Sequence, residues 1–218
     1  LLNFPKQPRV KKLYFLPIAP PQRGRVQFIL ELSVSGNSRK WAKIGSKEIY
    51  KTKFFRFRSD QLRTPDQRLF PNYYVMDFAD WVNVVAVTKD QQLVLIRQYR
   101  HAVEAVTVEV PGGSIDVHTG ESPEQAAARE LAEETGYVPA EMKLLAAHQP
   151  NPALQSNRIW SYLALGCELK QPQNLDEFED IEVFVVPVRE AFDLVKSGDI
   201  QHSLVISALH LAMPYLNL

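Results

Sequence analysis

Cysteine is almost absent from these 218 residues: Cys167 stands alone, which excludes an internal disulfide framework and any cysteine-built metal centre. No apolar run approaches the ~18 residues of a membrane-spanning helix. A soluble protein of a reducing, cytoplasmic compartment is expected, with no membrane partner. Charge of one sign is not in excess, since 25 Lys and Arg balance 25 Asp and Glu. A chain basic throughout, coating nucleic acid or anionic lipid, is therefore excluded. The sequence also lacks a Gly-x-Ser-x-Gly elbow, a P-loop and a dinucleotide glycine fingerprint. Its five histidines have no metal-ligand spacing. His202 and His210, eight apart on a terminal helical stretch, read as ordinary surface or core residues.

The neutral total hides an asymmetry. Residues 1–40 hold eight basic side chains, one acid (Glu31) and Pro5, Pro8, Pro17, Pro20 and Pro21. That leaves 17 basic and 24 acidic residues beyond, so the two parts carry +7 and −7. The sequence divides into a basic, proline-containing leader (1–40), a β-rich segment (41–80) and an α/β domain (81–218). With three serines the leader makes a poor transit peptide.

From Trp41 onward, strand signals dominate. Glu48 to Arg58 alternates apolar and charged residues as one half-exposed strand would, and Tyr73 to Phe78 is a second such run. Trp81 to Thr88 and Leu93 to Tyr99 are more apolar, with polar Lys89-Asp-Gln-Gln between them as a hairpin turn. Val106 to Val110 leads into Pro111-Gly-Gly. Further strands are expected at Met142–His148, Ile159–Leu169 and Glu182 onward, and helices at Arg189–Lys196 and Ile200–Met213. Ser122-Pro-Glu-Gln opens a helix with an N-cap, a proline at the first position and a capping box, and Gly136 closes it.

On that helix Glu130, Glu133 and Glu134 stand at i, i+3 and i+4 and share one face. Such crowding costs a few tenths of a kcal/mol per pair in water. A hard divalent cation with oxygen ligands reverses the sign, and Mg²⁺, Mn²⁺ or Ca²⁺ suits this donor set better than Zn²⁺. A solvated acidic face is the alternative.

The cluster sits in Gly113-x7-Glu121-x7-Arg129-Glu130-Leu131-x-Glu133-Glu134-x-Gly136-Tyr137, which closely resembles the Nudix hydrolase box. The departure is two extra residues between Gly113 and Glu121, in the loop before the helix. The resemblance implies an α/β/α sandwich with a mixed sheet and an N-terminal β-rich dimerisation segment. It implies that Glu130, Glu133, Glu134 and the Gly112 carbonyl hold Mg²⁺ or Mn²⁺, with Glu121 and Arg129 as a structural ion pair. The loop Asp176-Glu-Phe-Glu-Asp-Ile resembles the acidic loop of ADP-ribose pyrophosphatases, which makes Glu177 the candidate base and Glu179 a further metal contact.

The order Gln98-Tyr-Arg100, Glu109, Pro111-Gly-Gly resembles the ADP-ribose and nucleoside diphosphate sugar branch, as does Pro152, sixteen residues beyond Gly136. In that branch Arg100 would contact substrate, Glu109 and Arg158 would either join it or make structural hydrogen bonds, and Trp41 would stack on adenine in a homodimer or lie in the core. Gln155-Ser-Asn-Arg departs from the Ser-x-Glu-Arg frequent there. The implied activity is hydrolysis of ADP-ribose or another nucleoside diphosphate sugar. The alternatives are an RNA 5′-end pyrophosphohydrolase and a non-catalytic sensing module, and a nucleic-acid partner is not expected.

Overall fold

A computed structural model describes residues 39–116 and 118–216. Apart from Arg39 and Lys40, the basic leader lies outside the described residues. Three antiparallel strands come first: β1 (Ala42–Lys51), β2 (Phe55–Arg63) and β3 (Leu69–Phe78), in the order β1-β2-β3. The expected single strand from Glu48 to Arg58 is instead a hairpin. Thr52 makes the turn, its Oγ1 accepting the N–H groups of Phe54 and Phe55 at 3.1 Å each while Lys51 pairs with Arg56. A threonine hydroxyl does here what glycine or asparagine does in the commoner turns.

The second sheet has eight strands: β4 (Trp81–Thr88), β5 (Gln92–Arg100), β6 (Ala105–Glu109), β7 (Gly112–Ser114), β8 (Tyr137–Val138), β9 (Glu141–His148), β10 (Ile159–Leu169) and β11 (Ile181–Pro187). Its spine runs β11-β5-β4-β10-β8, with β6 on β5, β7 on β4 and β9 on β10. Only β4 and β10 pair in parallel, so the sheet is mixed.

Strand β4 is apolar on both faces because both are covered. Val82, Val84 and Ala86 pack with Ala126, Ala127 and Leu131 of α1 (Pro123–Thr135). Val85 and Val87 pack on the other side with α2 (Val188–Ser197) and α3 (Ser203–Ala212), through Ala191, Val205 and Leu209. The result is the α/β/α sandwich. Helix α1 begins and ends where its local signals place it. Ser122 Oγ accepts the Gln125 N–H at 3.2 Å, the Gln125 side chain takes the Ser122 N–H at 2.9 Å, and Gly136 closes the helix at φ +75°.

Helix α3 starts three residues later than the sequence suggests. Ile200 is buried in the α2/α3 core and its N–H bonds the Leu194 carbonyl, so the chain turns before Ser203 and leaves His202 just ahead of the helix. No helix among the described residues is long and apolar enough to cross a membrane.

Candidate functional site

Two glycines bring backbone against side chain at the start of the site. In β7, Gly112 stands opposite Asn83 and Gly113 opposite Val82. A Cβ on Gly112 would overlap the Val82 carbonyl, and one on Gly113 would overlap the Glu130 carboxylate. Only glycine permits both approaches. They set the Gly112 N–H 2.9 Å from Glu134 Oε2. The two extra residues before Glu121 fall in a turn where Asp116 Oδ1 accepts the His118 N–H, and they leave these contacts in place.

Arg129 is the hub of the helix face. Its Nε and Nη2 hold both oxygens of Glu121 at 2.8 and 3.0 Å, and Nη2 also reaches the Ser114 carbonyl. Its Nη1 reaches Glu130 Oε1 at 3.0 Å and Glu133 Oε2 at 2.9 Å. The carboxylates differ in burial and in how much cation each receives. Glu121, bonded by Arg129, is held below its usual range. Burial pushes Glu130 up to about 7, against the pull of Arg129. Glu134, only 3% exposed and bonded to no cation, is pushed by burial to about 8, with the charges of Glu130 and Glu179 adding to the rise.

Among the described residues no three His, Cys, Asp or Glu side chains stand ready as a metal cage. Arg129 takes an oxygen of Glu130 and of Glu133, and Gly112 takes one of Glu134. The donor set nevertheless fits a hard divalent cation. All its side-chain donors are carboxylates, and beyond burial the charge of Glu179 adds to the raised proton affinity of both Glu130 and Glu134, a repulsion that a cation would relieve.

The acidic loop reaches this face by docking on the end of α1. Gln173 Nε2 donates to the Glu134 carbonyl at 2.7 Å and the Asn174 N–H to the Glu133 carbonyl at 2.8 Å, satisfying carbonyls the helix leaves open. A turn closed by Asp176 and Glu179 follows. Glu179, half-buried, faces Glu130 and Glu134 electrostatically, whereas Glu177 and Phe178 at the tip are exposed.

Arg100 and Glu109 join the same face. Arg100 Nε and Nη2 fork onto Glu109 at 2.8 Å each, and Thr107 Oγ1 adds a third donor at 2.6 Å. This pairing raises the Arg100 pKa, with smaller contributions from Glu134 and Glu179. It leaves the Nη1 edge of the guanidinium for another anion. Two candidates lie apart from this network. Trp41 is exposed on the three-stranded sheet, 5.8 Å from the Phe70 ring, so it is not a core residue. Arg158 is exposed and makes its hydrogen bonds through its backbone, its N–H to Asp80 and its carbonyl to the Trp81 N–H. Sequence reasoning missed Thr107, Asn83 and His202; the last lies 3.6 Å from Glu109, and no local signal pointed to it.

A family model described as the NUDIX domain matches residues 78–209. An ADP-ribose pyrophosphatase of Mycobacterium tuberculosis is 30% identical over 167 residues, covering 76% of this chain and 80% of that one. An ADP-ribose pyrophosphatase of Bacillus subtilis is 34% identical over 120 residues, covering 55% of this chain and 64%, under two thirds, of its own length. A GDP-mannose pyrophosphatase of an Enterobacter species is 27% identical over 139 residues, covering 58% of this chain and 70% of that one. A crystal structure of an ADP compounds hydrolase superposes with a TM-score of 0.72 at 24% identity, covering 83% of this chain and 96% of its own.

Proposed function

Since the chain belongs to the Nudix hydrolase family, we propose that it hydrolyses the diphosphate linkage of ADP-ribose or another nucleoside diphosphate sugar, releasing NMP and a sugar phosphate, with Mg²⁺ as cofactor and Mn²⁺ as substitute. The observation that carries this reading is the juxtaposition of two unlike parts. The carboxylates Glu130, Glu134 and Glu179 repel one another, and the Glu109-held guanidinium of Arg100 faces them. A diphosphate bound with a divalent cation complements both. The similarity to ADP-ribose and GDP-mannose pyrophosphatases supports the substrate class.

Glu130, Glu133, Glu134, Glu179 and the Gly112 carbonyl would hold the metal, which when bound screens the diphosphate, polarises a phosphoryl oxygen and acidifies a water. Glu121 and Arg129 brace the loop against the helix. Glu177, exposed on its loop, takes the proton of the attacking water. Arg100 grips phosphate through its free edge, and Arg158 approaches from the start of β10. Residues 81–218 form the hydrolase domain and 41–80 the dimerisation segment. Exposed Trp41, Ile44, Tyr50, Phe54 and Leu69 on the three-stranded sheet support a homodimer in which Trp41 stacks on the partner's nucleotide.

The test is a Mg²⁺-dependent phosphate-release panel over ADP-ribose, GDP-mannose, UDP-glucose, NADH, and capped and triphosphorylated RNA, with a coupling phosphatase. ADP-ribose or a nucleotide sugar should lead in kcat/KM. Triphosphorylated RNA outcompeting ADP-ribose would overturn the substrate class, and silence across the panel would favour a sensing module.

A further inference from the structure

The head of α3 reaches the Arg100–Glu109 pair from the far end of the chain. His202 precedes the first helical residue, yet its side chain makes no capping bond. Its Nδ1 lies instead 3.6 Å from Glu109 Oε2, the oxygen that also accepts from Arg100 Nη2. Two residues on, the Leu204 carbonyl accepts a hydrogen bond from Asn83 Nδ2 at 3.1 Å, and Asn83 stands opposite Gly112 across β4 and β7. The first turn of α3 is thus tied to the site at two points, through Glu109 on β6 and Asn83 on β4.

Burial gives the first tie its weight. The Glu109 side chain is 5% exposed, whereas those of Arg100 and His202 are 45% and 42% exposed. A carboxylate so buried needs all its donors. Glu109 engages Arg100 along the Nε and Nη2 edge, so the aim of the remaining edge follows the aim of the carboxylate. Thr107 fixes one carboxylate oxygen at 2.6 Å, and His202 is the group beside the other. At 3.6 Å this is an electrostatic contact that a small approach turns into a hydrogen bond.

We propose that His202 is a positioning residue: through Nδ1 it steadies the Glu109 carboxylate and so aims the free edge of Arg100 at the substrate diphosphate. This deepens the reading above and rests on its assignment of Arg100 to phosphate. Loss of the imidazole leaves Glu109 Oε2 to Arg100 alone and lets the pair rotate. Ground-state and transition-state binding of the diphosphate weaken together, which raises KM and spares kcat.

The experiment compares H202A and H202N, each in the wild-type and E109Q backgrounds. H202A should raise KM for ADP-ribose about five- to tenfold with kcat within about twofold. Asparagine, whose Nδ2 stands near the place of Nδ1, should restore most of the loss, and H202A should add nothing to E109Q. In the substrate-free protein, the Arg100 Nε–H signal, assigned by its disappearance in R100K, should exchange several-fold faster in H202A and recover in H202N. Unchanged KM together with unchanged exchange overturns the proposal, as does a parallel fall of kcat, kcat/KM and Tm that asparagine fails to rescue. A wild-type enzyme inactive on every nucleoside diphosphate sinks the substrate reading instead, and the exchange rates alone then decide the positioning role.

Discussion

Replacing Glu134 by Gln should stabilise the metal-free protein at alkaline pH and at the same time remove its response to metal. Glu134 is buried, accepts the Gly112 N–H through Oε2 and has its carboxyl pushed from 4.5 to about 8, first by burial and then by Glu130 and Glu179. A folded-state pKa above the unfolded one means that the native protein holds a proton the unfolded chain has released. Stability therefore falls as pH rises from about 4.5 to about 8 and stays low above. At ~1.4 kcal/mol per unit the full cost is bounded near 5 kcal/mol. Counter-ions and rearrangement recover part, leaving about 2–3 kcal/mol. Glutamine keeps an oxygen for the Gly112 N–H but must place its amide hydrogens, at about 1 kcal/mol. The net gain near pH 8.5 in chelator is about 1–2 kcal/mol, or roughly 2–8 °C in Tm for a chain of this size. Near pH 5.5, where the native carboxyl is already protonated, the gain should vanish. Added Mg²⁺ reverses the order: at about a hundred times its Kd it contributes ~2.7 kcal/mol to the wild type, and E134Q should lose most of that. Thermal melts at the two pH values, with chelator and with Mg²⁺, decide the matter. An E134Q protein destabilised in chelator at both pH values, or one retaining the full Mg²⁺ shift, would refute the reasoning.

Gly113→Ala should leave Tm within a few degrees, because the atoms nearest its Cβ belong to the movable Glu130 carboxylate, while raising the Mg²⁺ concentration for half-activation several-fold; an unchanged activation curve would separate Gly113 from the metal. Gly112→Ala places a Cβ against the Val82 carbonyl and Asn83 backbone instead, so a loss of folding yield or Tm is expected in a melt. Glu177→Gln should lower kcat by about 100-fold or more with the Mg²⁺-induced Tm shift intact, and turnover within about twofold of wild type removes Glu177 from the mechanism. Burial acts to raise the Asp77 pKa, but bonds from Arg58, Ser156 and Arg56 outweigh it and hold the carboxyl well below its usual range. The stability it contributes is present above the unfolded carboxylate pKa and lost as pH falls toward the depressed folded value. The Tm gap between wild type and Asp77→Asn should therefore shrink on acidification, and a pH-independent gap would count against the ion network.

Where local chemistry decides structure, the sequence was legible. Ser122, Gln125 and Gly136 bound α1 because a capping box and a left-handed C-cap are local devices. The largely apolar run of Trp81 to Thr88 identified a strand, which the structure buries on both faces. The Thr52 turn was not legible, since its signal is a side-chain oxygen substituting for a turn residue. Neither was β7, three residues long and defined by how closely glycine lets two backbones approach. In the candidate site, the spacing of Glu130, Glu133 and Glu134 declared a shared helix face. Which of them takes an arginine and which a backbone N–H depends on where Arg129 and the Gly112 N–H come to rest, and that is tertiary. His202 carries no local mark at all, because its partner is reached only when α3 folds back over the sheet.

The acidity of the −7 body is distributed with a purpose that spacing alone does not show. Glu109, Glu121, Glu130, Glu133, Glu134 and Glu179 crowd one face, yet they are not equivalent sinks for a cation. Glu121 is committed to Arg129 through both oxygens, and Glu109 to Arg100, so each serves to orient an arginine. Glu130 shares Arg129 through one oxygen, and Glu134 has a single backbone N–H. Burial raises Glu134 to about 8 and Glu130 to about 7, the latter against the pull of Arg129, while the bonds of Arg129 hold the more open Glu121 below its usual range. A cation entering this face meets no bonded side-chain cation at Glu134, whose one hydrogen bond comes from the Gly112 N–H. At Glu130 it must compete with Arg129. If Arg129 is a brace rather than a competitor, Arg129→Lys, which keeps the charge but loses the fork to Glu121, should lower Tm more than it changes Mg²⁺ affinity. A tighter metal site in R129K, read as a fall in the half-activating Mg²⁺ concentration, would show instead that the arginine holds the carboxylates back from the metal.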